Sequence, residues 1–274
     1  MDNHYTGYQI LDLSNHELTQ LYEGKYNYND LKENEYLIIK NNDKVIDYFC
    51  KKKNELKRIN YPLLENNFTG EMKPRNPQQY CAMDLLKDNS IPVKLITGSF
   101  GSGKTMMCII AALEAIEKGL FDKIVFIRNN VQVKDTELIG ALPGDVFDKT
   151  LPYVLPFADH CGGVEGVEKL IDDGQLEVIP LAFLRGRSIR NSIIYSMESE
   201  NLTKEHIQLI MGRVDEGSQL WMDGDIKQRD KLNFEKSQGL ETMIERLSGN
   251  KLFGYVHLIK SERSEVARLC DLLD

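Results

Sequence analysis

The chain has 274 residues with an ordinary globular composition, 42% hydrophobic and 28% charged, and a formal net charge of −8. No stretch approaches the roughly 20 apolar residues of a membrane helix, and the start lacks a secretory signal, so we expect a cytoplasmic protein without a membrane segment. The negative net charge argues against a protein that coats nucleic acid through overall electrostatic attraction, although local clusters of basic residues could still bind it. The five cysteines are widely spaced without a Cys-x-x-Cys pair, which favours reduced thiols.

The first seventy residues differ in amino-acid composition from the rest, being rich in Asn, Tyr and Lys. Two strand-like runs between Glu35 and Cys50 flank a turn-forming Asn-Asn-Asp cluster and predict a β-hairpin. Pro74 and Pro77 then interrupt regular structure. We therefore predict a small β-rich N-terminal module at residues 1–70 and a main domain at residues 71–274.

From Gln78 onward, short apolar runs alternate with helical patterns, which predicts an α/β fold built on a mainly parallel sheet. The strands are predicted at Val93–Thr97, Lys123–Ile127, Leu176–Pro180, Ser192–Met197, Ser218–Asp223 and Tyr255–Ile259. The helices are predicted at Lys104–Lys118, Thr203–Arg213, Ser237–Leu247 and Ser264–Leu273.

A glycine-rich loop joins the first of these strands to the first helix. It follows the pattern Gly, four residues, Gly-Lys-Thr, and a chance match between a strand and a helix is rare. Glycines let the backbone N–H groups curl toward phosphate oxygens, and the helix start adds a positive dipole end. We expect Lys104 to reach the β- and γ-phosphates of ATP and Thr105 to bind Mg²⁺. The loop residues are Gly98, Ser99, Phe100, Gly101, Ser102, Gly103, Lys104 and Thr105.

Two strand ends further along the chain carry candidate catalytic groups. P-loop ATPases usually have Asp-Glu after an apolar strand, but here Met197 precedes Glu198, and a thioether is a poor magnesium ligand. Glu198 stands where a catalytic base is expected. After the next strand, Asp225 and Gln228 suit a γ-phosphate sensor, with a polar strand-exit turn as the plainer alternative.

In these features the chain resembles the PhoH-like ATPases, a family related to superfamily-one helicases, and above all the ATPase part of PIN–PhoH fusion proteins. The resemblance runs from about residue 30 to the end. It is carried, besides the phosphate loop, by Lys73-Pro-Arg-Asn-Pro-Gln-Gln79, Leu142-Pro-Gly-Asp145, Pro152-Tyr153, Arg185-Gly-Arg-Ser188, Glu198-Ser-Glu-Asn-Leu-Thr203, Gly224-Asp-Ile-Lys-Gln228, Leu252-Phe-Gly254 and Ser261-Glu-Arg-Ser264.

The resemblance implies a RecA-like core, a homo-oligomer in the form of a hexameric ring, and work on single-stranded RNA as in a helicase. It implies that Gln79, with Gln78 as a possible substitute, reads adenine through its amide. It also implies that Arg263 reaches the γ-phosphate as an arginine finger, with a surface salt bridge as the alternative. Arg185 and Arg187 either line an RNA path or hold the sheet together.

The chain departs from the family pattern in two respects. The family strand usually ends in Asp-Glu-Ala-Gln-Asn, whereas this chain has Met197-Glu-Ser-Glu-Asn, and a leading PIN nuclease domain does not fit in the short N-terminal segment. We expect no nuclease activity. Asp223 stands where relatives have a small hydroxyl residue, and we hypothesise that it supplies the missing carboxylate, giving a metal site of Thr105, Glu198 and Asp223.

The favoured interpretation is an ATPase that couples ATP and Mg²⁺ to RNA binding or unwinding. Met197 favours a first alternative, an ATP-binding oligomeric module whose hydrolysis is impaired. A second alternative is a kinase that uses the loop to transfer phosphate, although the Gly-Asp-x-x-Gln motif argues against it.

Overall fold

A computed structural model describes residues 5–128, 154–226 and 238–262. Its strands are β1 (Tyr8–Asp12), β2 (Tyr36–Asn41), β3 (Lys44–Lys52), β4 (Glu55–Arg58), β5 (Leu64–Asn66), β6 (Gly70–Met72), β7 (Val93–Gly98), β8 (Lys123–Arg128), β9 (Leu176–Pro180), β10 (Ser192–Ser196), β11 (Gln219–Gly224) and β12 (Phe253–Leu258). Its α-helices are α1 (Asn15–Tyr22), α2 (Pro77–Lys87), α3 (Lys104–Glu117), α4 (Val164–Asp172), α5 (Lys204–Met211) and α6 (Gly239–Leu247). Within these ranges no helix is both long and apolar enough to cross a membrane.

The main sheet confirms the predicted α/β fold. Its strand order is β12-β7-β11-β10-β8-β9, and every strand pair is parallel. Successive side chains of one strand pack on opposite faces of the sheet. Leu95 belongs to the hydrophobic cluster under α5 and α6, and Ile96 to the cluster under α2 and α3. Strands buried on both faces read as continuous apolar runs, which is why the sequence predicted them.

A second, four-stranded sheet lies at the N-terminus in the order β1-β2-β3-β4. β2 and β3 form the predicted antiparallel hairpin. Its turn residues Asn42 and Asp43 have φ angles of 51° and 61°. Positive φ at both central residues matches the twist of the flanking strands, and Asn and Asp tolerate it better than most residues. β5 and β6 add a separate two-stranded ribbon.

The N-terminal sheet is fastened to the main domain by polar contacts as well as apolar packing. The Asn34 side-chain amide donates to the carbonyls of Asn250, Lys251 and Phe253 at 3.2, 3.2 and 2.9 Å. The backbone N–H of His257, on the edge strand β12, donates to the Thr6 carbonyl at 2.9 Å. The division of the chain near residue 70 stays a prediction.

Helix α2 was missed because its prolines were read as breaks. Asn76 instead caps the helix, its side-chain oxygen accepting from the Gln79 N–H, and Pro77 occupies the first turn. Proline suits that position because its missing N–H has no intrahelical partner there and its φ is already helical. The helix predicted at Ser264–Leu273 lies outside the described residues.

Two aspartates near the end of α2 meet the N-terminal sheet in opposite electrostatic settings. The Tyr36 hydroxyl donates to Asp84 at 3.0 Å, and burial raises the pKa of Asp84 to about 6. The Lys52 ammonium pairs with Asp88 at 2.6 Å. Burial opposes ionisation of Asp88 too, but the bonds from Lys52 and Ser90 outweigh it and lower its pKa.

We expect Asp84→Asn to stabilise the protein above pH 6, by about 2 kcal/mol, and to have no effect below pH 4. The folded pKa of Asp84 lies above the unfolded value, so ionisation removes stability as the pH rises between the two values, and Asn keeps the acceptor for Tyr36. Urea unfolding at pH 4 and pH 7.5 measures the difference.

Asp88→Asn is the matched control, and we expect it to change the free energy of unfolding in the opposite direction. Its folded pKa is depressed, so its stabilisation is present above the unfolded pKa and is lost as the pH falls through the folded value. Asp88→Asn should therefore destabilise the protein at pH 7.5. Equal shifts of the same sign in both variants would contradict this assignment.

Candidate active site

The phosphate loop runs from the end of β7 to the start of α3, as predicted. Gly101 and Gly103 have φ angles of 78° and 87°, in the left-handed region that favours glycine. Gly98 is required for space, because a Cβ there would lie 2.7 Å from the Leu258 carbonyl oxygen. Gly103 is the N-cap of α3 and provides no side-chain cap. The helix start therefore points uncapped N–H groups and a positive dipole end toward the loop.

Lys104 and Thr105 occupy the first turn of α3, directly after the loop. The Thr105 hydroxyl donates to a carboxylate oxygen of Asp223, Oδ2, at 2.6 Å. Asp223 lies on β11, the strand beside β7 in the sheet. The contact thus joins the phosphate-loop helix to the carboxyl end of the neighbouring strand.

Asp223 is fully buried and accepts hydrogen bonds from three elements. Besides Thr105, the Tyr195 hydroxyl donates to Oδ2 at 2.9 Å and the Glu198 N–H donates to Oδ1 at 2.8 Å. Burial raises the pKa of Asp223, while these bonds and the positive charge of Lys104 act to lower it. Hydrogen bonds from three donors and a nearby positive charge offset the free-energy cost of burying an ionised carboxylate.

Glu198 follows the end of β10 and has an exposed side chain. Its backbone is left-handed, with φ 50° and ψ 50°. A non-glycine residue in this conformation carries strain, which the bond from its N–H to Asp223 helps to offset. Met197, just before it, packs against the hydrophobic cluster under α2 and α3.

The other predicted site residues are distributed around this centre. Asp225 is buried at the exit of β11, and its N–H donates to the Glu200 carboxylate at 3.2 Å. Gln79 is buried behind the loop and donates from its side chain to the Ser102 carbonyl at 2.9 Å. Its assignment to adenine stays a prediction. Gln228 and Arg263 lie outside the described residues.

The segment after β12 lies against the phosphate loop. The Glu262 N–H donates to the Gly101 carbonyl at 3.0 Å, and the Asn76 side chain donates to the Glu262 carboxylate at 2.9 Å. Phe100, at the loop tip, is 61% exposed. Two distant stretches of sequence, at Asn76 and at Glu262, therefore converge on the loop.

Arg187 and Arg185 differ in their surroundings. Arg187 pairs with Glu177 on β9 at 2.8 Å, and Glu177 also binds Lys123 on β8 at 2.6 Å. These ion pairs link β8 and β9, which agrees with the alternative in which Arg187 helps to hold the sheet together. Arg185 is exposed, and an RNA-facing role for it stays a prediction.

Comparison with known proteins agrees with this geometry. A family model described as PhoH-like protein matches residues 71–270. The chain belongs to the PhoH-like protein family. The family is one of P-loop ATPases, in keeping with the phosphate loop and its RecA-like parallel sheet.

Several curated relatives are PhoH proteins. Protein PhoH2 of Bacillus subtilis is 31% identical over 293 residues, covering 99% of this chain and 65% of that protein. Protein PhoH2 of Thermobispora bispora is 34% identical over 202 residues, covering 72% of this chain and 46% of that protein. A PhoH-like protein of Bacillus subtilis is 31% identical over 174 residues, covering 62% and 53%. The chain thus spans about half to two thirds of the length of these relatives.

Two residues of the PhoH-like site escaped the sequence reasoning. In the sequence, Tyr195 looks like one more apolar residue of a buried strand. A buried tyrosine hydroxyl usually needs a hydrogen-bond partner, however, and so indicates a polar group nearby. Glu200 is half-buried beside Asp223 and Glu198. Burial raises the pKa of Glu200 to about 7, and the charges of those two carboxylates act in the same direction. The sequence feature that could have indicated Glu200 is its position two residues after Glu198, at the same strand end.

We expect Gly98→Ala to destabilise the PhoH-like fold by about 2 kcal/mol or more, because the added methyl group meets the backbone of β12 and cannot move away. Gly119→Ala is the control: φ is +67° but no atom lies within 4 Å of the added Cβ. It should cost about 1 kcal/mol through backbone strain alone. Urea unfolding measures both, and a smaller loss for Gly98→Ala would contradict the steric argument.

Proposed function

We propose that this PhoH-like protein hydrolyses ATP in the presence of Mg²⁺ and couples this reaction to binding or unwinding of RNA. The observation that carries the ATPase part is the contact between the Thr105 hydroxyl and the Asp223 carboxylate, at 2.6 Å beside the phosphate loop. A hydroxyl and a carboxylate next to bound phosphates form the oxygen-rich setting that magnesium prefers.

The donor atoms present fit a magnesium ion. Thr105 and Asp223 would hold it, directly or through water, whereas the Met197 thioether is a poor magnesium ligand and packs, partly buried, against the hydrophobic cluster under α2 and α3. Asp223 takes over the carboxylate usually supplied at position 197, because β10 and β11 are parallel neighbours that end at the same edge of the sheet. When bound, the ion neutralises charge on the β- and γ-phosphates.

The remaining roles follow from position and chemistry. Lys104 binds the β- and γ-phosphates from the start of α3, and the loop N–H groups cradle them. Glu198, exposed at the strand end, orients the attacking water and accepts its proton. Asp225 and Gln228 sense the γ-phosphate, Arg263 stabilises the charge that builds during transfer, and Gln79 contributes to nucleotide binding.

RNA coupling and a homo-oligomeric ring rest on the resemblance to PhoH-like ATPases. The exposed Arg185 supplies a group suited to RNA phosphates. A cytoplasmic location belongs to the same proposal. Met197 keeps a second candidate open, an ATP-binding oligomer with impaired hydrolysis.

Asp223→Asn should lower magnesium-dependent phosphate release roughly 100-fold, because the amide keeps the shape of the side chain but not its charge. Lys104→Ala should abolish it. Asp215→Asn is a matched control, since Asp215 bonds to Ser188 and Arg190 away from the phosphate loop. Unchanged turnover in Asp223→Asn would sink the role given to this carboxylate. Tight ATP binding by the wild-type protein without turnover would favour the second candidate.

Single-stranded RNA should raise the rate of phosphate release severalfold, because a motor couples its substrate to its ATPase cycle. The measurement compares wild-type and Arg185→Ala proteins with and without RNA, with unstimulated turnover as the internal control. Arg185→Ala should weaken the stimulation and leave the basal rate intact. Equal rates with and without RNA would remove RNA coupling, and phosphate transfer to another acceptor would instead support a kinase.

A further inference from the structure

The side-chain amide of Gln79 is committed to the protein backbone on both sides. Its oxygen accepts from the Arg75 N–H at 2.9 Å, and its nitrogen donates to the Ser102 carbonyl at 2.9 Å. An N–H can only donate and a carbonyl can only accept, so the orientation of the amide is unambiguous. The side chain is only 2% exposed. Gln79 therefore lies behind the phosphate loop as part of its support.

The bond to Ser102 fixes the direction of the next N–H group. In a planar trans peptide, the carbonyl of Ser102 and the N–H of Gly103 point in opposite directions. Gln79 binds this carbonyl, so the Gly103 N–H is directed away from the Gln79 side chain. The approach is close, since a Cβ at Gly103 would lie 3.2 Å from the Gln79 nitrogen. N–H groups so directed are what a phosphate-binding loop requires.

Gln79 is itself held in place from two directions. Its N–H donates to the Asn76 side-chain oxygen at 2.9 Å, and the Asn76 nitrogen donates to Glu262 at 2.9 Å. Glu262 in turn donates its backbone N–H to the Gly101 carbonyl at 3.0 Å. The carbonyls of Gly101 and Ser102 thus both accept hydrogen bonds from neighbouring segments of the chain, which help to hold the shape of the loop.

We propose that Gln79 is a positioning residue of the phosphate loop, which acts on the triphosphate group of the ligand irrespective of its base. This inference rests on the proposed nucleotide binding. It differs from the role implied by the resemblance, in which the amide pairs with adenine. An adenine reader helps ATP alone, whereas a loop support helps ATP, GTP and a base-free triphosphate to the same extent.

The test measures displacement of a fluorescent ATP analogue by three magnesium-containing competitors: ATP, GTP and inorganic tripolyphosphate. Gln79→Met keeps the length of the side chain but loses both bonds. Gln79→Glu keeps the acceptor for Arg75 and places an acceptor against the Ser102 carbonyl. We expect both variants to bind all three competitors more weakly by a common factor of roughly ten.

Gln219→Met is the matched control. Gln219 is also buried and also uses both ends of its amide, accepting from Trp221 at 2.8 Å and donating to the Asn89 carbonyl at 3.2 Å, but it begins β11 at the opposite edge of the sheet. Gln219→Met should lose stability in ligand-free unfolding and keep the wild-type affinities. If Gln79→Met does not fold, Gln79→Glu carries the comparison.

Two results would overturn the proposal. One is a variant that loses affinity for ATP but not for GTP or tripolyphosphate, which would make Gln79 a reader of adenine. The other is a wild-type protein that binds ATP without competition from tripolyphosphate, since a loop held in shape by the protein itself should bind phosphates without a base. The readout is binding, so absent hydrolysis would count against the proposed function and leave this inference standing.

Discussion

The buried carboxylate of Asp223 is the point on which the site depends. It accepts hydrogen bonds from α3, from β10 and from Glu198, two residues after β10, while its own backbone belongs to β11. A carboxylate without partners at this depth would cost several kcal/mol. Each donor is therefore held in place by the same group that it stabilises. The relative positions of Thr105 and Glu198 follow from this one side chain.

The proposed exchange of a carboxylate between two strands follows from the geometry of parallel sheets. β10 and β11 run side by side in register, with Ser196 opposite Met222, so Met197 and Asp223 both stand one residue beyond the last pair. A carboxylate at either strand end reaches the same edge. Met197 packs against the hydrophobic cluster under α2 and α3, and in the proposed site Asp223 supplies the charge from the adjacent strand.

The sequence predicted most of the main sheet because buried parallel strands are plain apolar runs, and it predicted the phosphate loop because its pattern is specific. It predicted the neighbouring strand ends of Met197 and Asp223 for the same reason. It did not reveal α2, whose Pro77 was taken as a break, nor α1, whose Ser14 and Glu17 form a capping box that a closer reading of the Asn-rich segment would have found.

Other features of the site lie beyond sequence patterns. The left-handed backbone of Glu198 is set by a hydrogen bond to a residue 25 positions away, and no local propensity signals it. The use of both ends of the Gln79 amide likewise depends on where Ser102 lies after folding. Such contacts are properties of the assembled sheet edge, and the residue types alone are compatible with several of them.

Helix α2 gives the N-terminal sheet a part in shaping the loop. Gln79 lies in its first turn, against Ser102, while Asp84 and Asp88 toward its end bind Tyr36 and Lys52 of the N-terminal sheet. The helix is about 16 Å long, and its backbone hydrogen bonds connect its two ends. A displacement of the N-terminal sheet would therefore shift Gln79 together with the helix. If Gln79 supports the loop as proposed, the N-terminal sheet therefore contributes to the shape of the loop through this helix.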